Sequence, residues 1–216
     1  MADHDSTGSV ARGMRTLLAR REAELAAGAA PVGWKIGFNT PAIQQVFGLD
    51  DPVVGYLVDT GVSLDGAVIP IGGWRAPAVE VEVAVRVADD GGVAGLAPAL
   101  ELVDLDVTFD DIEPVLAGNI CQRGVIFGDE VPGIDPWAMV AVVTKADHEI
   151  ARGAITEAPL DTVAFVERFL ATHGASLEPG DRIIAGSVVP PVAVAPGDGL
   201  VVSFGLLGEL RVAFSA

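Results

Sequence analysis

The segment Ala78-Val-Glu80-Val-Glu82-Val-Ala-Val-Arg86-Val alternates with period two. A strand here carries its valines on one face and Glu80, Glu82, Ala84 and Arg86 on the other. Two carboxylates at i and i+2 then point the same way, about 7 Å apart at their Cα atoms. That separation lets both converge on one hard divalent cation. A third acid from an adjacent strand would complete a protein face that leaves positions open for substrate and water. Glu101, in Pro98-Ala-Leu-Glu-Leu-Val-Asp104, is the candidate third ligand, set among Ala99, Leu100, Leu102 and Val103. The same Val-Glu alternation also writes an ordinary strand whose glutamates face water.

Lys35, one of two lysines, lies inside a second alternating segment, Val32-Gly-Trp-Lys-Ile-Gly-Phe38. Val32, Trp34, Ile36 and Phe38 take one face, leaving Lys35 between Gly33 and Gly37 on the other. Glycines on both sides leave clear space where a ligand or another backbone can approach. Desolvation and a neighbouring metal would both lower the lysine pKa and suit it to proton transfer. A lysine snorkelling from an edge strand is the alternative. Gly186-Ser187, directly after a strand-like Arg182 to Ala185, offers backbone N–H groups and a hydroxyl to a carboxylate. His4, His148 and His173 fall in a tail, a turn and a helix end and are assigned no role. Neither of the glycine-rich phosphate-binding patterns occurs, which disfavours nucleotide chemistry.

The elements that must position these residues follow from periodicity and breakers. Helical spacing runs from Val10 to Ala27 and ends at Gly28. A strand at Val32 to Phe38 is followed by a short helix begun by Thr40-Pro41. Strand pieces lie between Gly55 and Gly73, then at Val79 to Val87, Ala99 to Val103 and Gly124 to Phe127, with a short helix at Asp110 to Leu116. Val140 to Val143 and Ile150 to Ala154 are expected as neighbouring strands, and Thr162 to His173 as a helix. The last strands are Arg182 to Ala185, Leu200 to Phe204 and Glu209 to Phe214. Many strands, few helices and no regular β-α alternation make the class α+β with a dominant mixed or antiparallel sheet. No linker divides the chain, so residues 1–216 are expected as one domain, with a helical segment at 1–30 and a β-rich core at 31–216.

With 216 residues, half of them apolar, the chain can bury a core unaided. Its 30 acidic against 13 basic side chains give a net charge of −17, which disfavours nucleic acid and membrane surfaces as partners. An anionic substrate must therefore meet a local cation or a metal. Cys121 is the only cysteine, which excludes a disulfide framework and a cysteine-based zinc site. With no signal-peptide pattern at the N-terminus, a cytoplasmic location is expected.

Five collinear pieces carry a resemblance: Gly33-Trp-Lys-Ile-Gly37, Phe47-Gly-Leu-Asp-Asp-Pro52, Val79-Glu-Val-Glu82, Ala99-Leu-Glu-Leu-Val-Asp104, and His173-Gly through Gly180-Asp181 to Gly186-Ser187. In this order they resemble the fumarylacetoacetate hydrolase superfamily, in its 2-keto-4-pentenoate hydratase and 4-oxalocrotonate decarboxylase branch. The resemblance implies a mixed β-sheet roll with few peripheral helices. It also implies magnesium or manganese on Glu80, Glu82 and Glu101, and an active-site role for Lys35. Asp104, which that motif retains, joins Gly186 and Ser187 as substrate-binding candidates. The implied activity is a hydro-lyase of aromatic catabolism, adding water to a small anionic 2-hydroxy-2,4-dienoate or 2-oxo-4-enoate through a metal-stabilised enolate, in a homo-oligomer. Decarboxylation or C–C hydrolysis uses the same parts, and a catalytically weak partner subunit is the reading from another class. Departures from the pattern stand at Leu105-Asp106, where the family has Ser-Arg, and at Gly118-Asn-Ile-Cys-Gln122, which keeps only the asparagine. The chain is also expected to lack a first helical segment common in the family.

Overall fold

Helix α1 (Ser6–Ala26) opens the described chain, and Gly28 turns it towards β1 (Pro31–Gly37). The computed structural model describes residues 6–107, 110–135, 139–156 and 158–216. Helix α2 (Pro41–Phe47) starts on its proline and closes on Gly48 in the left-handed region. Three strands follow, β2 (Val53–Val58), β3 (Val62–Ser63) and β4 (Val68–Pro70). The long antiparallel pair β5 (Pro77–Val87) and β6 (Val93–Asp104) comes next. Helix α3 (Ile112–Ala117), whose N-cap Asp111 accepts from the Glu113 N–H at 3.0 Å, leads to β7 (Gln122–Phe127). Strands β8 (Val140–Lys145) and β9 (His148–Ala154) form a hairpin through Ala146-Asp147, both at positive φ. Helix α4 (Pro159–Thr172) precedes β10 (Arg182–Ile184), β11 (Val192–Ala193), β12 (Gly199–Ser203) and β13 (Glu209–Ser215).

The strands make two mixed sheets. The larger runs β2-β1-β10-β5-β6-β7-β3, with β11 added alongside β5, and the smaller runs β4-β13-β12-β8-β9. The pairs β1–β10, β13–β4 and β3–β7 are parallel. This is the α+β class expected, and the larger sheet is curled. Two strand placements matter for the site. The last strand, β13, is interior, paired on both sides by β12 and β4. Strand β1 is interior too, flanked by β2 and β10.

Both faces of β5 and β6 are buried, which decides the fate of the glutamates. Val79, Val81, Val83 and Val85 join Leu96, Leu100 and Leu102 in the main core, against Met14 and Leu17 of α1 and Val166 and Leu170 of α4. Each such large side chain contributes roughly 1.5–3 kcal/mol when fully buried. A one-residue slip would send the valines onto the acidic face, so the register is strongly specified. The opposite face carries a separate, smaller-bodied cluster in which Ala84, Ala97 and Ala99 join Leu57, Val125 and Ile184. Three alanines there leave room inside the curl for long polar side chains, and the carboxylates occupy that room.

Candidate metal centre and active site

The β5–β6 register sets Glu80 opposite Glu101 and Glu82 opposite Ala99, so all three acids share the face of the small residues. Carboxylate oxygens from Glu80, Glu82 and Glu101 lie within 4.8 Å of one another. Glu82 and Glu101 are fully buried, and Glu80 is half-buried. The Gly186 N–H donates to Glu82 Oε2 at 2.7 Å, and Lys35 Nζ donates to Glu101 Oε1 at 2.5 Å. The remaining oxygens, Glu82 Oε1 and Glu101 Oε2, are buried with no hydrogen-bond donor among the described residues. Leaving such atoms unsatisfied costs about 1–3 kcal/mol each, more when charged. Two orphaned oxygens within an all-carboxylate donor set fit a hard divalent cation of the magnesium or calcium kind.

Burial pushes Glu82 well above the usual carboxylate range, reinforced by the charges of Glu101 and Glu80. Burial also raises Glu101, to about 7; Lys35 pulls it down and Glu80 pushes it up. For Lys35, burial alone would lower the pKa, but the charges of Glu101, Glu80 and Glu82 outweigh it and hold the ammonium above its ordinary value. The lowering expected from sequence is therefore reversed in the metal-free protein, because three carboxylates surround the lysine.

Lys35 does not snorkel: it is 2% exposed on an interior strand. The glycines beside it are filled by protein. At Gly33, φ +147, a Cβ would lie 2.0 Å from the Arg182 carbonyl oxygen, and at Gly37 one would meet the Ile120 side chain at 2.9 Å. Lys35 Nζ also donates to the Ile120 carbonyl at 3.0 Å. That carbonyl belongs to three consecutive residues in the left-handed region, Asn119, Ile120 and Cys121, with φ of 60, 52 and 64°. For a β-branched residue this is a costly conformation. The Asn119 side chain offsets it by two hydrogen bonds to the Tyr56 backbone, accepting from its N–H at 2.9 Å and donating to its carbonyl at 3.0 Å. Asn119 and the Ile120 carbonyl were not among the sequence candidates. The only hint was the polar asparagine in an otherwise apolar Gly118 to Cys121 turn.

A cavity of about 520 Å³ opens beside Glu80, with Gly186, Ser187 and Cys121 also in its wall. Burial pushes the Cys121 thiol up to about 11, so it is neutral near pH 7. Gly186 and Ser187 reach this wall, but their donors are committed. The Gly186 N–H serves Glu82, while the Ser187 hydroxyl accepts from the Val81 N–H at 3.0 Å and donates to the Val189 carbonyl at 2.7 Å. Asp104 is not brought to the cavity. Three residues beyond Glu101 on the same strand, it faces the other way and accepts from the backbone N–H groups of Arg75 (3.1 Å) and Ala76 (2.8 Å). Arg123 Nη2 adds a third bond at 3.3 Å, and Asp104 sits below its ordinary pKa although burial opposes this. His148 is exposed on β9, His173 packs on Phe169, and His4 lies outside the described residues.

No family model matches the chain. Among curated proteins, it is 28% identical to the 4-oxalocrotonate decarboxylase of Pseudomonas putida, across 85% of this chain and 77% of that protein. It is 28% identical to 2-keto-4-pentenoate hydratase 1 of Dechloromonas aromatica, across 100% of this chain and 87% of the hydratase. Among solved structures, the 4-oxalocrotonate decarboxylase from Pseudomonas putida G7, complexed with magnesium and adipate, superposes with a TM-score of 0.86 at 25% identity, covering 94% of this chain and 84% of that one. By sequence and by fold, the chain is similar to the 2-keto-4-pentenoate hydratases and the 4-oxalocrotonate decarboxylases.

Proposed function

We propose that this protein is a metal-dependent hydro-lyase that adds water to a small 2-hydroxy-2,4-dienoate or 2-oxo-4-enoate acid. The observation that carries the reading is the pair of buried, unpartnered oxygens on Glu82 and Glu101 beside Glu80 and the Lys35 ammonium. Glu80, Glu82 and Glu101 would hold magnesium or manganese. A cation bound there supplies positive charge beside the substrate carboxylate and its 2-oxo oxygen, which favours the enolate over the keto form. Lys35, kept protonated by its carboxylate neighbours and aimed by the Ile120 carbonyl, is the group we assign to moving a proton to or from the dienol. Gly186 donates to Glu82, and Glu80, the acid in the cavity wall, is the group we assign to orienting the water that adds to the distant alkene carbon. The similarity to hydratases over the whole chain supports this chemistry.

The similarity to decarboxylases favours a second reading, loss of carbon dioxide on the same scaffold. Incubation with 2-hydroxy-2,4-pentadienoate and magnesium separates the two. Formation of 4-hydroxy-2-oxopentanoate, abolished by chelator, is the expected result. Release of carbon dioxide from a 2-oxo-dienedioate with no hydration of the pentadienoate would instead make the protein a decarboxylase. We also read the chain as one domain that self-associates in the cytoplasm. The open edge strand β9 supports the association, and a lone cysteine suits a reducing compartment. Among the described residues no helix is long and apolar enough to cross a membrane.

A further inference from the structure

The smaller sheet buries one face and leaves the other without a layer over it. Leu200, Val202, Leu210, Val212 and Phe214 point into the main core. Helix α4 packs on β2, β5 and β6, and α1 packs on α3, away from the opposite face. Of the six exposed large apolar side chains among the described residues, four belong to this sheet or its bordering turns: Leu64 (82%), Leu206 (80%), Val68 (62%) and Ile150 (46%). Apolar exposure gathered in one place marks an interaction surface.

The register sets two rows of side chains across this outer face. One runs Arg211, Val201, Thr144, Glu149, and the next runs Glu209, Ser203, Val142, Arg152. The centre is therefore uncharged, and the corners alternate in sign. The two columns, on β13 and β9, stand three strand spacings apart, roughly 14 Å. Within each column the charges pair, Arg211 with Glu209 and Arg152 with Glu149. The five strands carry three basic side chains, Arg211, Lys145 and Arg152, against two acidic ones, in a chain whose net charge is −17. Lys145 is met by Asp198 at 2.6 Å. Copies that repel one another over most of their surface find a neutral face here.

Resting on the reading of the chain as self-associating, we infer that the contact is this face packed on the same face of a second copy, about a two-fold axis lying in the plane of the sheet. Either such axis, along the strands or across them, sets every corner over one of opposite sign, so that Arg211 meets Glu149 or Glu209 of the partner subunit. A diagonal axis would set Arg211 over its own copy and is disfavoured. Val142 and Val201 lose their water at the centre, and their small neighbours Ser203 and Thr144 let the two sheets approach to the usual spacing of about 10 Å.

Sedimentation velocity of the full chain at micromolar concentration tests this. Val201→Glu places a charge at the centre of the face, Arg211→Glu reverses one corner, and Val46→Glu adds the same charge as a control on α2, where Val46 is exposed. Wild type and Val46→Glu should share one assembly mass. Val201→Glu should fall to half of that mass or less, and Arg211→Glu, which turns attractions into repulsions in both halves of the contact, should weaken association at least tenfold. Wild-type mass in a folded Val201→Glu protein, or unchanged association of Arg211→Glu, would overturn the inference and leave self-association to another surface, such as the open edge of β9. Dissociation of Val46→Glu would also overturn it, by making net charge the cause. A monomeric wild type would refute self-association itself, and this inference with it. If Val201→Glu does not fold, Arg211→Glu, a change at an exposed side chain, decides.

Discussion

Replacing Lys35 with methionine removes the ammonium while keeping the shape of the stem, and the structure fixes what should follow. Nζ lies 2.5 Å from Glu101 Oε1 and 3.0 Å from the Ile120 carbonyl, with Lys35 2% and Glu101 0% exposed. Breaking a buried ion pair by removing one partner costs about 3–5 kcal/mol, and the carbonyl loses its donor as well. Glu101 titrates at about 7 with the lysine present; without it the carboxyl stays protonated at neutral pH, which holds the loss within that range. At about 2–4 °C per kcal/mol for a chain of this size, the chelator-treated variant should melt roughly 6–20 °C below wild type. An edge lysine would shift stability by less than about 1 kcal/mol. Magnesium should recover much of the deficit, because a cation among the carboxylates replaces the missing positive charge. At saturating magnesium, turnover should still fall on the order of a hundredfold or more, the scale for losing a general acid or base. Melting curves with and without chelator, followed by rates at saturating substrate, read both effects. A melting temperature within 2 °C of wild type in chelator would refute the buried-pair argument, and full activity would refute the proton-transfer role.

The metal-free protein should lose stability as pH rises from about 4.3 to about 7. Glu101 keeps its proton in the folded state up to about 7 but releases it near 4.3 when unfolded, so the folded state binds more protons across that window. The slope should approach 1.4 kcal/mol per pH unit per proton, and the rise in melting temperature given by magnesium should grow over the same window. Gly55→Ala should cost roughly 1–3 kcal/mol and reduce turnover, since the new Cβ would stand 2.6 Å from Asn119 Oδ1 and 2.9 Å from Lys35 Cγ; thermal melts and rates check it. Light scattering at micromolar concentration should report a multiple of the 22.1 kDa chain, and a clean monomer would refute self-association.

Local alternation made Glu80 and Glu82 readable as neighbours on one face, and the apolar setting of Glu101 marked it as unusual. What alternation alone could not supply was the register that sets Glu101 opposite Glu80, or the burial of both faces of β5. Asp104 illustrates the opposite failing. Its distance of three residues from Glu101 already placed it on the other face, but motif likeness drew it into the site. The environment of Lys35 depends on the parallel pairing of β1 with β10, in which Trp34 meets Ile183, a contact no local window contains. Strand β11 was missed because Pro190-Pro191 reads as a break, yet Val192 and Ala193 pair with β5 directly after it. The left-handed turn at Asn119 to Cys121 contains no glycine; Asn119 tolerates that region, but Ile120 and Cys121 give no sign of it in their residue types.

Titration calorimetry of magnesium into the wild-type protein and into Glu80→Ala and Glu82→Ala tests the central claim most directly. One magnesium per chain in the wild type, with binding lost in both variants while each retains its fold, is the expected result. Unchanged magnesium binding in both variants would contradict it and leave the clustered carboxylates without the role argued from their unpartnered oxygens.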